Sequence, residues 1–529
     1  MDGYRHCLEK EFSSIYVFNL RGNQRTSGEL SRKEGGKIFG SGSRTPISIT
    51  LLVKKPNHQE KATIHYHDIG DYLSRDEKLD IVKKMKSVSD TEMNWQTLSP
   101  NEHNDWINHR NDKFGEFVPL APEKKFDTET QAVFTVYSLG LNSNRDAWVY
   151  NFSREKLQVN MRRTIDFYNN QVATYKQNIQ SEEIKKIEKF IDMDSANIAW
   201  SSSLIPKVQR GISVKYEGEK IFSSIYRPFY SANLYMGEHF IHRRGQFDQL
   251  FPTTDTENLV ISVSGMGASK DFSTIITNKI PDLQLMFNGQ CFPLYWYEEV
   301  NAEKTGMADM FDAASEPESE HYARRDAISD FALNQARKLY GSKTTKEDIF
   351  YYVYGFLHNT DYRIEFAADL KKMLPRIPFV GDSMVFWKYA KAGRELAALH
   401  LHYEDYAHEA GVTVNINNAV QDNFDITKMR FPSKDDKSCI IYNPYITITD
   451  IPAEAYEYIV NGRSAIEWIM ESYQIKTHKE SGIVNDPNDW AREHNKPRYI
   501  LDLLLSVIAI SLKTIQIVKG LPKVEMQNK

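Results

Sequence analysis

A strand, a long basic glycine-rich loop and a second strand fill residues 15–55, and they constrain the front of this chain more than any other feature. Ile15-Tyr16-Val17-Phe18-Asn19-Leu20 is a short apolar run, and Pro46-Ile47-Ser48-Ile49-Thr50-Leu51-Leu52-Val53 follows at strand length. Between Arg21 and Lys55 the basic residues Arg21, Arg25, Arg32, Lys33, Lys37, Arg44, Lys54 and Lys55 face only Glu29 and Glu34. By itself such an excess reads as a solvated loop. Ala62-Thr63-Ile64-His65-Tyr66-His67 gives a third strand, Arg75 to Lys86 a charged helix, and Tyr4 to Phe12 a short opening helix. The front of the chain is therefore expected to be α/β.

Composition bounds the rest. At 529 residues the chain has room for about three domains. A hydrophobic content of 41% supports real cores, and a net charge of −5 requires any nucleic-acid contact to use local basic patches. Cys7, Cys291 and Cys439 are odd in number and far apart, which excludes a disulfide framework and a Cys-rich zinc site. The opening Met1-Asp2-Gly3-Tyr4-Arg5-His6 lacks the apolar core of a signal peptide. The greasiest segment, Ile500 to Val518, is interrupted by Asp502 and Lys513 and reads as a buried helix. The expectation is a soluble, cytoplasmic protein.

Further along, a Pro- and Asn-spotted connector runs from Leu98 to Lys125, and helical patterns cover Arg154 to Asn178 and Glu182 to Met193. Trp200 to Tyr297 is strand-rich. Asn301 to Arg324 is acidic and aperiodic, which predicts a surface excursion. Helices follow over 326–340, 346–359, 362–373 and 383–406, strands over 412–448, and two closing helices over 452–472 and 497–519. Four regions result: 1–125, a helical connector 126–199, a mixed region 200–450 and a helical end 451–529.

The loop Arg21-Gly22-Asn23-Gln24-Arg25-Thr26-Ser27-Gly28-Glu29 resembles the adenine methyltransferases of type ISP restriction-modification enzymes. The likeness continues in order through Tyr226-Arg227-Pro228-Phe229-Tyr230, Ile261 to Lys270, Gln290 to Glu299, Phe366 to Pro378 and Val460 to Met470. It implies the rear of a Rossmann-like methyltransferase sheet over 1–125, then a mixed α+β target-recognition domain over 200–450 and a helical C-terminal region. It also implies that Met1 matches an internal position of a longer polypeptide, whose nuclease, helicase motor and cofactor-binding half lie on that polypeptide or on a separate chain. The implied partner is double-stranded DNA. S-adenosylmethionine is implied for the complete enzyme and not for this chain alone, so no catalytic or cofactor residue is assigned. In the family the loop lies over the face where the flipped base enters, so Arg21, Asn23, Arg25, Ser27, Arg32 and Lys33 are the side chains that can hold phosphates or a base edge there.

The residues themselves agree on what is missing. An adenine methyltransferase needs a glycine turn after a strand for the methyl donor and an N-P-P-Y-like tetrapeptide for the extruded adenine. Phe39-Gly40-Ser41-Gly42 copies the first in spelling, but a polar run precedes it and a strand follows. Asn443-Pro444-Tyr445 lacks the second Pro and reads as a turn. Farther along, Ser264 to Lys270 predicts a strand end, small residues and a helix capped by Ser269, an arrangement able to take a phosphate. Arg227, Ser269, Lys270, Lys371, Lys372 and Arg376 complete the candidate DNA contacts. The aromatics of 226–230 and 292–297 read as core, and His65-Tyr66-His67-Asp68 as an ordinary strand without a further metal ligand. Two alternatives stay open: a split methyltransferase completed by a partner chain, and a binding scaffold unrelated to nucleic acid.

Overall fold

The computed structural model describes residues 2–26, 28–40, 43–90, 93–179, 187–300, 321–417 and 423–523. Two compact units divide the chain: Met1–Glu116 with Gly267–Asp271 and Ile364–Met373, and Phe117–Met266 with Phe272–Arg363 and Leu374–Lys529. The first boundary thus falls at 116/117, where the sequence reading placed one at 125.

In the first unit α1 (Asp2–Glu11) leads into β1 (Ser14–Arg21), the loop with α2 (Gly28–Glu34), β2 (Ile47–Val53), β3 (Thr63–Asp68), α3 (Arg75–Lys84) and β4 (Gln96–Leu98). The sheet order is β2-β1-β3-β4, with β1 antiparallel to β2 and parallel to β3. Alternation along β1 sends Phe18 and Leu20 to a cluster with Ile38 and Ile69, and Ile15 to a second cluster with Leu8 and Ile64. Helix α3 starts on a capping box, Ser74 bonding the Glu77 amide and the Glu77 carboxylate bonding the Ser74 amide. The expected loop therefore contains a helix. Its exit is pinned, because Lys78 is buried and donates to the carbonyls of Glu34 (2.7 Å) and Gly36 (2.9 Å). Gly35 has φ +67, and a Cβ there would meet the Leu73 carbonyl at 2.1 Å, so the loop's glycine serves close packing.

The second unit holds two four-stranded sheets. The strands of these two sheets are β5 (Ser138–Leu139), β6 (Tyr150–Asn151), β7 (Ile221–Arg227), β8 (Tyr230–Tyr235), β9 (Val260–Val263), β10 (Thr274–Thr277), β11 (Ile280–Pro281) and β12 (Gln290–Pro293). They assemble as β10-β9-β12-β5 and β11-β7-β8-β6. Helix α4 (Arg154–Asn178) buries Leu157, Met161, Tyr168 and Val172 in the core that also takes Ile221, Leu234, Leu504 and Ile508. Residues 126–199 are accordingly no separate connector, and the stretches either side of 450 share one core, because the apolar stripes of these helices close over the same sheets. Helices α5 (Lys346–Phe356) and α6 (Ser383–Leu401) cross where Gly355 faces Gly393. The last helix, α7 (Tyr499–Lys519), is long and apolar enough to cross a membrane, but 67% of its most apolar 18-residue stretch is buried inside the protein.

Three expectations change. Residues 180–186 lie outside the described residues, and Ile187–Lys189 is a single 3-10 turn rather than the end of a helix. Of the expected excursion, 301–320 lies outside the described residues, while Tyr322–Asp326 is strand β14, antiparallel to β13 (Tyr295–Glu299). Arg324 over the Tyr295 ring (4.4 Å) and Arg325 on Glu298 (3.0 Å) are the cross-strand pairs that hold it. The helix expected over 452–472 is broken by a turn in which Asn461 and Gly462 both have positive φ. A shorter helix, Ala465–Ser472, restarts on a Ser464/Glu467 capping box.

Candidate nucleic-acid interface

The loop of the first unit is ordered by its own polar side chains. Arg21 ends β1 with φ 54 and turns its guanidinium back into the unit, its Nε donating to Asp68 Oδ1 at 2.6 Å and its Nη1 to Asp71. Burial pushes the Asp68 carboxyl up, but the Gly70 amide and Arg21 outweigh it and the net pKa is lowered. Asn23 accepts from the Arg25 amide (3.0 Å) while its own amide donates to Glu34 (2.9 Å). These contacts assign Arg21 and Asn23 to shaping the loop. Arg25, and Arg32 and Lys33 in the last turn of α2, remain on the surface. Ser27 lies outside the described residues.

A second group forms where distant segments meet inside the same unit. The Gly267 amide donates to the Lys371 carbonyl at 2.8 Å, and Lys371 Nζ lies 3.4 Å from Asp271. This brings Ser269 and Lys270 beside Lys371. The helix expected after Ser269 is absent: residues 264–273 turn back into β10, antiparallel to β9, so the segment offers no helix N-terminus. The amides of Gly265 and Gly267 are also engaged, by the carbonyls of Phe287 and Lys371 (2.8 Å each). Lys372 is drawn inward, to Asp105 (2.9 Å) and the Asn108 carbonyl (3.0 Å). The Asp105 side chain is fully buried and is also met by Arg5 (2.8 Å) and Arg110 (2.9 Å). Burial alone would raise its pKa; the hydrogen bonds from Arg110 and Lys372 hold it far below the usual carboxylate range.

In the second unit Arg376 donates to the Phe117 carbonyl at 3.0 Å. Arg227 leaves the end of β7, lies 3.9 Å over the Tyr226 ring and pairs with the buried Asp282 at 2.7 Å. Phe229, Tyr230 and Phe292 are core residues, as their run predicts. The sequence reading missed the β13–β14 ribbon, which presents Tyr295, Trp296 and Tyr297 half-buried and Glu298, Glu299, Arg324 and Arg325 exposed. A two-stranded ribbon of this kind fits the major groove of DNA. The sequence carries little signal for it, because Tyr322-Ala323-Arg324-Arg325-Asp326 beyond the acidic stretch shows no apolar–polar alternation.

The other motifs are structural. His65 stacks on Tyr16 (4.5 Å) and His67 Nδ1 donates to the Asn94 carbonyl (3.0 Å), so neighbouring strands and loops occupy both rings. Among the described residues, the one trio within reach of a single ion is Glu102, His103 and Asp112, on the surface. Asn443-Pro444-Tyr445 is the turn between strands Ile440–Asn443 and Ile446–Thr449, its Asn443 Oδ1 accepting from the Tyr445 and Ile446 amides at 2.9 Å each. That side chain is consumed by the turn. Of Phe39-Gly40-Ser41-Gly42, the last two residues lie outside the described residues.

Comparison with known proteins places this geometry. The family described as the type ISP C-terminal specificity domain matches residues 132–503. A nuclease-deletion mutant of the type ISP restriction-modification enzyme LlaGI, solved in complex with a DNA substrate mimic, is 39% identical with a TM-score of 0.83, over 99% of this chain and 38% of that one. The ATP-dependent type ISP restriction-modification enzyme LlaBIII, solved bound to DNA, is 37% identical with a TM-score of 0.85, over 100% of this chain and 32% of that one. DrdV in a DNA complex is 28% identical with a TM-score of 0.80, over 99% of this chain and 49% of that one. The chain thus spans between a third and a half of the length of these relatives. No curated protein matches it.

Proposed function

The chain belongs to the type ISP restriction-modification family, and from that membership we propose that it recognises a specific sequence in double-stranded DNA. The observation that carries the reading is the likeness to DNA-bound LlaGI and LlaBIII, which runs over essentially the whole chain at 37–39% identity. Local chemistry supports it: Arg25, Arg32 and Lys33 stand on the surface of the first unit, and the β13–β14 ribbon carries Arg324 and Arg325 in the second. In this reading the exposed cations of the first unit hold phosphates, and the second unit supplies the groups that read base edges.

The first unit is the rear of an adenine methyltransferase domain. Its sheet has β2 at one edge, and the sequence lacks the glycine turn and the tetrapeptide that methyl transfer requires. Those parts belong to a preceding segment, on the same polypeptide or on a partner chain. S-adenosylmethionine belongs to that completed enzyme, and the cytoplasm is its place of work.

Selection from a random duplex pool by mobility shift, followed by sequencing, tests recognition: one short motif is expected, and retention without any enriched motif overturns it. Calorimetry with S-adenosylmethionine tests the second part. No uptake by this chain is expected, and stoichiometric binding, or methyl transfer to the selected duplex, refutes it.

A further inference from the structure

The second unit contains a cavity of about 440 Å³ whose residues come from three separated segments, 146–150, 226–230 and 468–485. That volume lies within the about 300–1,000 Å³ usual for small-molecule sites. Its walls are aromatic: Tyr150, Tyr226, Tyr230 and Trp468. Its polar side chains include Gln474, Thr477, His478 and Asn485.

The charges around it are already spoken for. Arg227 pairs with Asp282 at 2.7 Å, the Tyr226 hydroxyl donates to Asp146 at 2.8 Å, and Glu471 faces Arg463 at 3.6 Å and Lys476 at 3.9 Å. A site so balanced has no excess for a phosphate. It suits a ring with apolar faces and a hydrogen-bonding edge.

The backbone at the cavity is also held in an unusual shape. The β7–β8 turn that presents Tyr226, Arg227 and Tyr230 places Phe229 at φ 60, a left-handed conformation that normally falls to Gly or Asn. The Phe229 ring is fully buried and packs edge-on to Tyr403 and Tyr458, which fixes the turn. Strain maintained by packing is characteristic of binding sites. The guanidinium of Arg227 is thereby held over Tyr226 and presents a flat cationic surface beside the cavity, of the kind on which bases stack.

We infer that this cavity is a binding site for a single unstacked nucleobase, stacked against Trp468 and the Arg227–Tyr226 pair and read at its edge by Gln474 and Thr477. The base comes either from a free nucleoside or from a nucleotide turned out of bound DNA, and only the second source rests on the proposed DNA recognition.

Two arms separate the sources. In the first, the full chain is mixed with adenosine, guanosine, cytidine or thymidine and observed by saturation-transfer NMR. At least one nucleoside is expected to show transfer, and Gln474→Trp or Thr477→Trp, which fill the cavity from a half-buried and an exposed position, to weaken it at least tenfold. In the second, the selected duplex carries 2-aminopurine at each position in turn. Extrusion into the cavity changes the fluorescence at one position, and both variants abolish the change while retaining the mobility shift. A change with transfer assigns the site to DNA; transfer alone assigns it to free nucleosides. Nucleoside binding without any DNA mobility shift leaves the cavity standing and removes DNA recognition. Absence of both signals, or binding unchanged in both variants when circular dichroism shows them folded, overturns the inference.

Discussion

Two buried carboxylates show how differently the two units are held together. Asp105 in the first unit is met by three cations, Arg5, Arg110 and Lys372, and its pKa is driven down. Asp282 in the second has one cation, Arg227, and accepts from the Tyr150 hydroxyl; burial is its dominant influence and raises its pKa to about 6. The first carboxylate ties together residues that lie far apart in sequence, in a unit whose apolar clusters are small. The second sits within a large continuous core that shape already fixes. Charge fastens one unit and packing the other.

The strongest way to break that contrast is Asp105→Ala. It leaves three cations facing one another, and removing one partner of a buried pair costs about 3 kcal/mol. Urea denaturation of the variant checks it; a loss below about 1 kcal/mol would mean that the apolar clusters hold the unit without the ion pairs. Next comes Gly393→Ala in the second unit. A Cβ there would meet the Tyr351 carbonyl at 1.9 Å, backbone that cannot swing aside. Overpacking of this kind costs about 2–3 kcal/mol, and a neutral outcome in the same denaturation experiment would show that α5 and α6 can separate freely.

The pH dependence sharpens the comparison with opposite signs. A carboxyl raised on folding, as Asp282 is, contributes most below about pH 4 and loses that contribution as pH rises through about 6. Asp105, lowered on folding, loses its contribution only as pH falls below the ordinary carboxylate range. The buried imidazoles of His358 and His400, both held neutral by burial, oppose Asp282 because acid favours their unfolded, protonated forms. The Asp282 part is therefore read as the stability difference between the wild type and Asp282→Asn. That difference should move by about 2 kcal/mol in favour of the wild type from pH 7 to pH 4, and a flat difference would place the Asp282 carboxyl in its ordinary range.

Much of the scaffold was legible because it is local. Residues 154–178 form the expected helix to the residue, and β1, β2 and β3 appear where the apolar runs put them. Alternation and end-capping are written within a few neighbouring residues. The site was less legible because its side chains are committed by partners that only the fold supplies. Arg21 reads as a phosphate ligand until the β1–β3 register brings Asp68 within 2.6 Å of it. Ser269 reads as a helix cap until residues 264–273 turn back along β9. Tyr226 and Trp468 become neighbours around one cavity although 242 positions separate them.

The smallest predicted effect asks whether the same contrast separates cations that bind from cations that build. Arg25 and Lys33 are exposed on the loop, whereas Lys372 is occupied by Asp105 and the Asn108 carbonyl. Each phosphate contact releases counterions, so losing one lowers the salt slope of DNA affinity by about 1. Arg25→Ala and Lys33→Ala should each lower the slope by about that amount and leave the urea midpoint unchanged. Lys372→Ala should do the reverse, shifting the midpoint and sparing the slope. Affinity measured against the selected duplex over a series of salt concentrations decides it. A slope that falls for Lys372→Ala and holds for the other two would mean that DNA recruits the cation from the ion-paired cluster, and that the exposed loop faces solvent in the complex.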